Sequence, residues 1–102
     1  MDILEKGISG TTESSDIYIT VEPNDENTIT IDLQSDVEKQ YGDRIREVIT
    51  NTTKNLGVSS VKITAVDSGA LDCTITARTL NALQRALGND RYNWKEIETW
   101  NV

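Results

Sequence analysis

Few residues of this 102-residue chain are of a type that does chemistry unaided. There is no histidine, which removes Ser-His-Asp and Cys-His catalysis, histidine-ligated zinc and the commonest general base together. A serine nucleophile such as Ser14 would need a lysine or carboxylate base, and no spacing in the chain marks such a pair. Cys73 is the single cysteine, so neither an intramolecular disulfide nor a thiolate metal cluster can be built within one chain. It stands between Leu71 and Ile75 in an alternating apolar pattern and reads as a buried small hydrophobe. Asp67 and Asp72 straddle a turn and read as solvated or turn-forming carboxylates rather than as a catalytic pair. Gly7 and Gly10 lie in a glycine-containing segment, but no P-loop Lys-Ser ending follows and no Rossmann strand precedes them.

The elements that would position these residues follow from periodicity. Residues 6–16, KGISGTTESSD, are small and polar with neither a helical nor a strand period, and read as an exposed loop or mobile arm. Ile17, Ile19 and Val21 alternate with Tyr18, Thr20 and Glu22, the pattern of a half-buried strand. After the turn cluster Pro23–Asn27, Ile29, Ile31 and Leu33 alternate again, which predicts an antiparallel hairpin. Ser35-Asp36-Val37-Glu38 has the spacing of a capping box. Val37, Tyr41, Ile45, Val48, Thr52 and Leu56 then form one helical stripe, which Gly57 ends as a left-handed stop with Val58 as its hydrophobic contact. Gly42 inside this helix has some cost and suggests either close packing there or nothing at all. Val61, Ile63 and Ala65, the turn Asp67-Ser68-Gly69, and Leu71, Cys73 and Ile75 predict a second hairpin. Leu80, Leu83, Ala86 and Leu87 recur at helical spacing up to Gly88, and Trp94 is placed to pack back on the body. The expected fold is α+β: one domain of β-β-α-β-β-α order, with a four-stranded, mainly antiparallel sheet, two helices on one face and a flexible N-terminal arm.

Length and composition suit a single soluble domain. No apolar run approaches the roughly 20 residues of a membrane span, and no basic region followed by an apolar stretch marks the N-terminus as a secretory signal. A cytoplasmic location without membrane association is the expectation. The net charge of −7 argues against nucleic acid as a partner. The imbalance lies in residues 1–36, which hold nine acids against Lys6 alone, whereas the remainder holds eight acids against nine bases. This acidic third is either a solvated, aggregation-resistant edge or a docking surface for basic partners.

Four segments resemble, in order and spacing, the citrate lyase acyl carrier proteins. Gly10-Thr11-Thr12-Glu13-Ser14-Ser15-Asp16 resembles the family's modification motif, G-T-x-E-S followed by a small residue and Asp. Val37-Glu38-Lys39-Gln40-Tyr41-Gly42 resembles its helix start, Gly69-Ala70-Leu71-Asp72-Cys73 its G-A-L-[DE]-C segment, and Ala77-Arg78 with Arg85-Ala86 its last helix. The match runs nearly the whole chain to about Trp94. It departs at Thr12, where relatives often have leucine, at Tyr41, where many have phenylalanine, and at Ser68, where lysine is common.

The resemblance implies a non-catalytic carrier with a phosphoribosyl-dephospho-coenzyme A group esterified to Ser14, Ser15 being the second choice, and with no metal. It implies as partners the alpha (transferase) and beta (lyase) subunits of citrate lyase and a prosthetic-group loading enzyme. The group's thiol would carry acetyl and citryl thioesters between the two subunits as citrate is cleaved to acetate and oxaloacetate, tethering raising their effective concentration at both sites. Residues 1–102 would then be one carrier domain: a flexible arm over 1–15 bearing the modified serine, a folded body over 16–94 and a tail over 95–102. On the residues alone, an acidic interaction module without a covalent cofactor remains the alternative, with a hydrolase using Ser14 disfavoured by the lack of histidine.

Overall fold

The computed structural model describes residues 3, 5–35 and 38–87, and in the first helix the side chains from Tyr41 onward. Six elements follow one another: β1 (Gly7–Ser9), β2 (Ile17–Glu22), β3 (Ile29–Ser35), α1 (Glu38–Asn55), β4 (Val61–Asp67) and α2 (Asp72–Ala86). The strands form one sheet in the order β1-β2-β4-β3, with β1–β2 and β2–β4 antiparallel and β3–β4 parallel. The fold is α+β, a four-stranded and mainly antiparallel sheet with two helices, as the periodicity implies.

One face of the sheet carries the core. Ile17, Ile19 and Val21 of β2 lie opposite Asp67, Ala65 and Ile63 of β4, and Ile31 and Leu33 of β3 lie beside Ile63 and Ala65 from the other side. These inward residues join Ile45, Val48 and Ile49 of α1 and Ile75, Ala82, Leu83 and Ala86 of α2 in one cluster, so both helices cover the same face. β4 is, with β2, one of the two inner strands, and its Val61, Ile63 and Ala65 are fully buried. α1 ends as expected: Gly57 takes φ 89°, its N–H donates to the Lys54 carbonyl at 3.0 Å, and the Val58 N–H donates to the Thr53 carbonyl at 3.2 Å. Val58 is buried beneath this stop, the hydrophobic contact that accompanies such a motif. Gly42 is buried, in keeping with close packing.

The element order is β-β-β-α-β-α rather than β-β-α-β-β-α, and three readings are corrected. The two strands at 17–22 and 29–35 do not form a hairpin, because β4 lies between them. A crossover through α1 makes β3 and β4 a parallel pair, and the Pro23–Thr28 segment instead straps the start of β4. There the Ser60 hydroxyl donates to the Asn24 and Glu26 carbonyls, and the Val61 N–H donates to the Thr28 carbonyl at 3.1 Å. Leu71, Cys73 and Ile75 are not a strand. Ile75, Thr79, Ala82, Leu83 and Ala86 share the buried stripe of α2, and the polar Thr79 hides that helical period in the sequence. Cys73 is accordingly exposed rather than buried.

The third correction concerns residues 6–16, which are not wholly an arm, since Gly7–Ser9 is an edge strand paired to β2. Gly7 makes this possible. A Cβ there would stand 2.1 Å from the Ala82 carbonyl oxygen and 2.8 Å from the Ala86 nitrogen, so β1 lies directly against α2. The Glu5 N–H donates to the Ala86 carbonyl, and Arg85 donates to the Ile8 carbonyl, closing the same contact. Asp36 and Val37 of the capping box, the stop at Gly88, Trp94 and the tail 95–102 lie outside the described residues.

Candidate attachment site

Ser14 sits in the loop that joins β1 to β2. The loop begins at Gly10, whose φ of 93° suits glycine and whose Cα packs so tightly on the next strand that a Cβ would stand 1.8 Å from the Ile17 carbonyl oxygen. Chain entry and exit are therefore pinched together, and residues 11–16 project as a closed loop. At its tip the Asp16 N–H donates to the Glu13 carbonyl at 3.2 Å, and Ser15 takes φ 64°, so Ser14 and Ser15 are the corner residues of a tight turn. Ser14 and Ser15 are both exposed. No hydrogen bond involves either hydroxyl among the described residues, and the Ser15 backbone is tied down by its N–H donating to the Ser68 carbonyl at 2.7 Å.

Asp16 organises the foot of the loop. Its carboxylate accepts from Arg78 Nε and Nη2, both at 3.0 Å, from the Thr11 hydroxyl at 2.7 Å and from the Ile17 N–H at 2.7 Å. The Arg78 side chain is 36% exposed and that of Asp16 13%. The guanidinium, followed by the Thr11 hydroxyl, holds the Asp16 carboxyl at about 2, below the ordinary value of 3.8. Thr11 also accepts from the Glu13 N–H at 3.2 Å, which carries the order one step nearer the serine.

The adjoining β4–α2 turn supports the loop. The Ser68 N–H donates to the Asp16 carbonyl at 2.9 Å, and its hydroxyl donates to the Thr12 carbonyl at 3.3 Å. Buried Asp67 closes this turn by accepting from the Gly69 and Ala70 N–H groups at 3.2 and 3.0 Å and from the Ser35 hydroxyl at 2.9 Å. Asp72 is exposed and accepts from Arg44 Nε and Nη2 at 3.1 and 2.7 Å. Neither acid faces the serine as a base, and among the described residues no group of His, Cys, Asp and Glu could hold a metal ion. Arg78 is the participant that sequence reasoning did not single out for this role; the Ala77-Arg78 pair marked its position but nothing local pointed to Asp16.

The arrangement offers an accessible hydroxyl on an ordered turn. The residue types fit a phosphodiester anchor: a primary hydroxyl, small neighbours, and a partly exposed guanidinium at the foot of the loop.

Comparison with known proteins gives the family. Residues 5–86 match the acyl carrier protein family model described as malonate decarboxylase delta subunit (MdcD). The citrate lyase acyl carrier proteins of Streptococcus pyogenes serotype M5 (strain Manfredo) and serotype M49 (strain NZ131) are each 59% identical over 102 residues, the whole of both chains. Among solved structures, a Pseudomonas malonate decarboxylase hetero-tetramer in complex with malonate has a chain that superposes with a TM-score of 0.68 at 17% identity, over 84% of this chain and 92% of that one. A homoserine kinase from Cytophaga hutchinsonii shares the fold over 93% of this chain but 38% of its own, with a TM-score of 0.54 and 12% identity. The chain belongs to this acyl carrier protein family and, within it, to the citrate lyase acyl carrier proteins. Its role is that of an acyl carrier. No helix among the described residues is long and apolar enough to cross a membrane.

Proposed function

We propose that this chain is the non-catalytic carrier subunit of citrate lyase, with a phosphoribosyl-dephospho-coenzyme A group joined covalently to Ser14. The complex would cleave citrate to acetate and oxaloacetate, the carrier moving between its transferase and lyase subunits in the cytoplasm. When bound, the group supplies a thiol on which acyl groups ride as thioesters, better acyl donors than oxygen esters.

The observation that carries this reading is the contrast at the loop tip. Both hydroxyls are exposed and without a hydrogen bond among the described residues, but the Ser15 backbone is held in a left-handed conformation by its bond to Ser68, whereas Ser14 stands at the corner before it. Ser14 is thus free to take a phosphodiester without loss of a structural contact. Arg78 sits at the foot of the same loop, a cation near the new negative charge. The body over 16–94 would serve as the handle, with the loop of the 1–15 segment as the anchor and the tail 95–102 as an appendage.

Intact-mass measurement tests the proposal on chain co-produced with the loading enzymes and mapped by peptide. Wild type and Ser15→Ala should carry the added mass, and Ser14→Ala should carry none while keeping its circular dichroism spectrum, since an exposed loop residue contributes little to stability. Loading retained in Ser14→Ala and lost in Ser15→Ala would move the site by one residue. An unmodified chain within active native complex would leave the interaction-module reading instead.

A further inference from the structure

A groove of about 610 Å³ opens between the start of α1 and the β4–α2 turn on which the serine loop leans through Ser68. Its walls are Tyr41 and Ile45 from α1 and Ala70, Leu71, Cys73 and Ile75 from the turn and α2. Leu71 is 69% and Tyr41 56% exposed, two of the large apolar side chains that the described residues leave in solvent. The volume is within the roughly 300–1,000 Å³ typical of small-molecule sites. Arg44 and Asp72, paired at 2.7 Å, line it as well and supply its polar side.

We propose that this groove is the resting site of the arm carried by Ser14, holding its amide-bearing, methyl-bearing stretch between visits to partner subunits. The proposal rests on the reading of Ser14 as the attachment residue. Position selects this occupant. Ser15 and Asp16 are bonded to Ser68, and Gly69 and Ala70, which line the groove, follow Ser68 within about 7 Å of extended chain. A group tethered at Ser14 is therefore confined near the groove, which raises the effective concentration there of the amide-bearing stretch that follows its phosphoribosyl and nucleotide parts.

The chemistry of the walls suits such an arm. Tyr41, Ile45, Ala70, Leu71 and Ile75 offer apolar surface to its methyl groups. α2 starts at Leu71 without a side-chain cap, so backbone N–H groups of its first turn are available to amide carbonyls of the arm. Cys73, in that first turn and exposed, is a built-in reporter of occupancy.

The test compares apo chain with chain loaded on Ser14 and acetylated on the arm thiol, following alkylation of Cys73 by iodoacetamide through peptide mass spectrometry. The loaded chain should react about fivefold more slowly, the expectation for an arm seated about four-fifths of the time. Leu71→Asp, at an exposed position, should return the loaded chain to the apo rate with its circular dichroism spectrum unchanged. Equal rates in apo and loaded wild type would overturn the groove assignment alone. So would protection that appears only when a partner subunit is added, which would make the groove a protein-docking surface. Absence of the added mass on Ser14 would instead overturn the attachment reading, and this occupant with it.

Discussion

Residues 10–16 and 67–71 form neighbouring turns at one end of the sheet, each organised by an aspartate, and they are held in different ways. Asp67 is buried and takes two of its hydrogen bonds from backbone N–H groups of its own turn, with Ser35 as the third donor. Asp16 takes two bonds from Arg78, on a helix 62 residues away in sequence, as well as those from Thr11 and Ile17. The 67–71 turn is a platform closed by neutral donors. The serine loop leans on it through Ser68 and is fastened to α2 by charge. A carrier needs its attachment residue exposed and yet fixed in direction, and here backbone bonds and the long-range fastening at the foot order the loop while the Ser14 side chain has no hydrogen bond among the described residues.

The strongest way to break the comparison is Gly10→Ala. A Cβ 1.8 Å from the Ile17 carbonyl oxygen, at φ 93°, combines backbone overlap with a conformation that alanine disfavours, and the cost should be about 3 kcal/mol. Chemical denaturation measures it. The 67–71 turn has no equivalent pinch, because a Cβ on Gly69 meets nothing within 4 Å. A loss below about 0.5 kcal/mol for Gly10→Ala, within the range of ordinary surface changes, would show that the loop's feet move apart freely.

Next in size is the ion pair. Asp16→Asn should cost about 2 kcal/mol at neutral pH, in the range for hydrogen bonds to a charged group, less whatever solvent at Arg78 screens. The carboxyl is held at about 2 against 3.8. Because the folded-state value is the lower one, its contribution is complete above about pH 4 and is lost as pH falls through about 2. The stability gap between wild type and Asp16→Asn should therefore close between those limits. A gap constant down to pH 2 would assign the effect to shape rather than charge.

Much of this fold is legible in the sequence because local rules decide it. The Gly57 stop, the inward alternation of Ile17, Ile19 and Val21, and the β4 pattern of Val61, Ile63 and Ala65 each follow from neighbours a few residues apart. What was not legible is nonlocal. Insertion of β4 between β2 and β3 depends on which strand is best buried on both flanks, and a turn cluster at 23–27 fits a strap as well as a hairpin. The three-residue β1 is too short for a period, and Gly7 reveals its purpose only once Ala82 and Ala86 are seen beneath it. Leu71, Cys73 and Ile75 satisfy alternation over a window in which helical spacing is concealed by Thr79. Ser14 as the proposed attachment residue was suggested by the resemblance of the loop motif. Its partner network was not, since Asp16 and Arg78 share no local pattern.

The smallest effects sharpen the comparison through a left-handed residue near the tip of each turn. In the 67–71 turn this is Gly69, at φ 85°, and in the serine loop it is Ser15, at φ 64°. An L-residue in that region costs about 1–2 kcal/mol, while glycine there loses more chain entropy on folding, about 0.5–1 kcal/mol. Ser15→Gly should therefore stabilise the protein by about 0.5 kcal/mol, and Gly69→Ala should destabilise it by a similar amount or slightly more. Thermal unfolding of both variants at neutral pH measures the pair. Ser15→Gly should also remain fully loadable, because the Ser15 N–H that meets the Ser68 carbonyl is retained. If Ser15→Gly instead lowers stability, the Ser15 side chain is itself fastening the loop. The tip would then be held locally, as the 67–71 turn is, and the contrast between the two would be confined to Asp16 and Arg78.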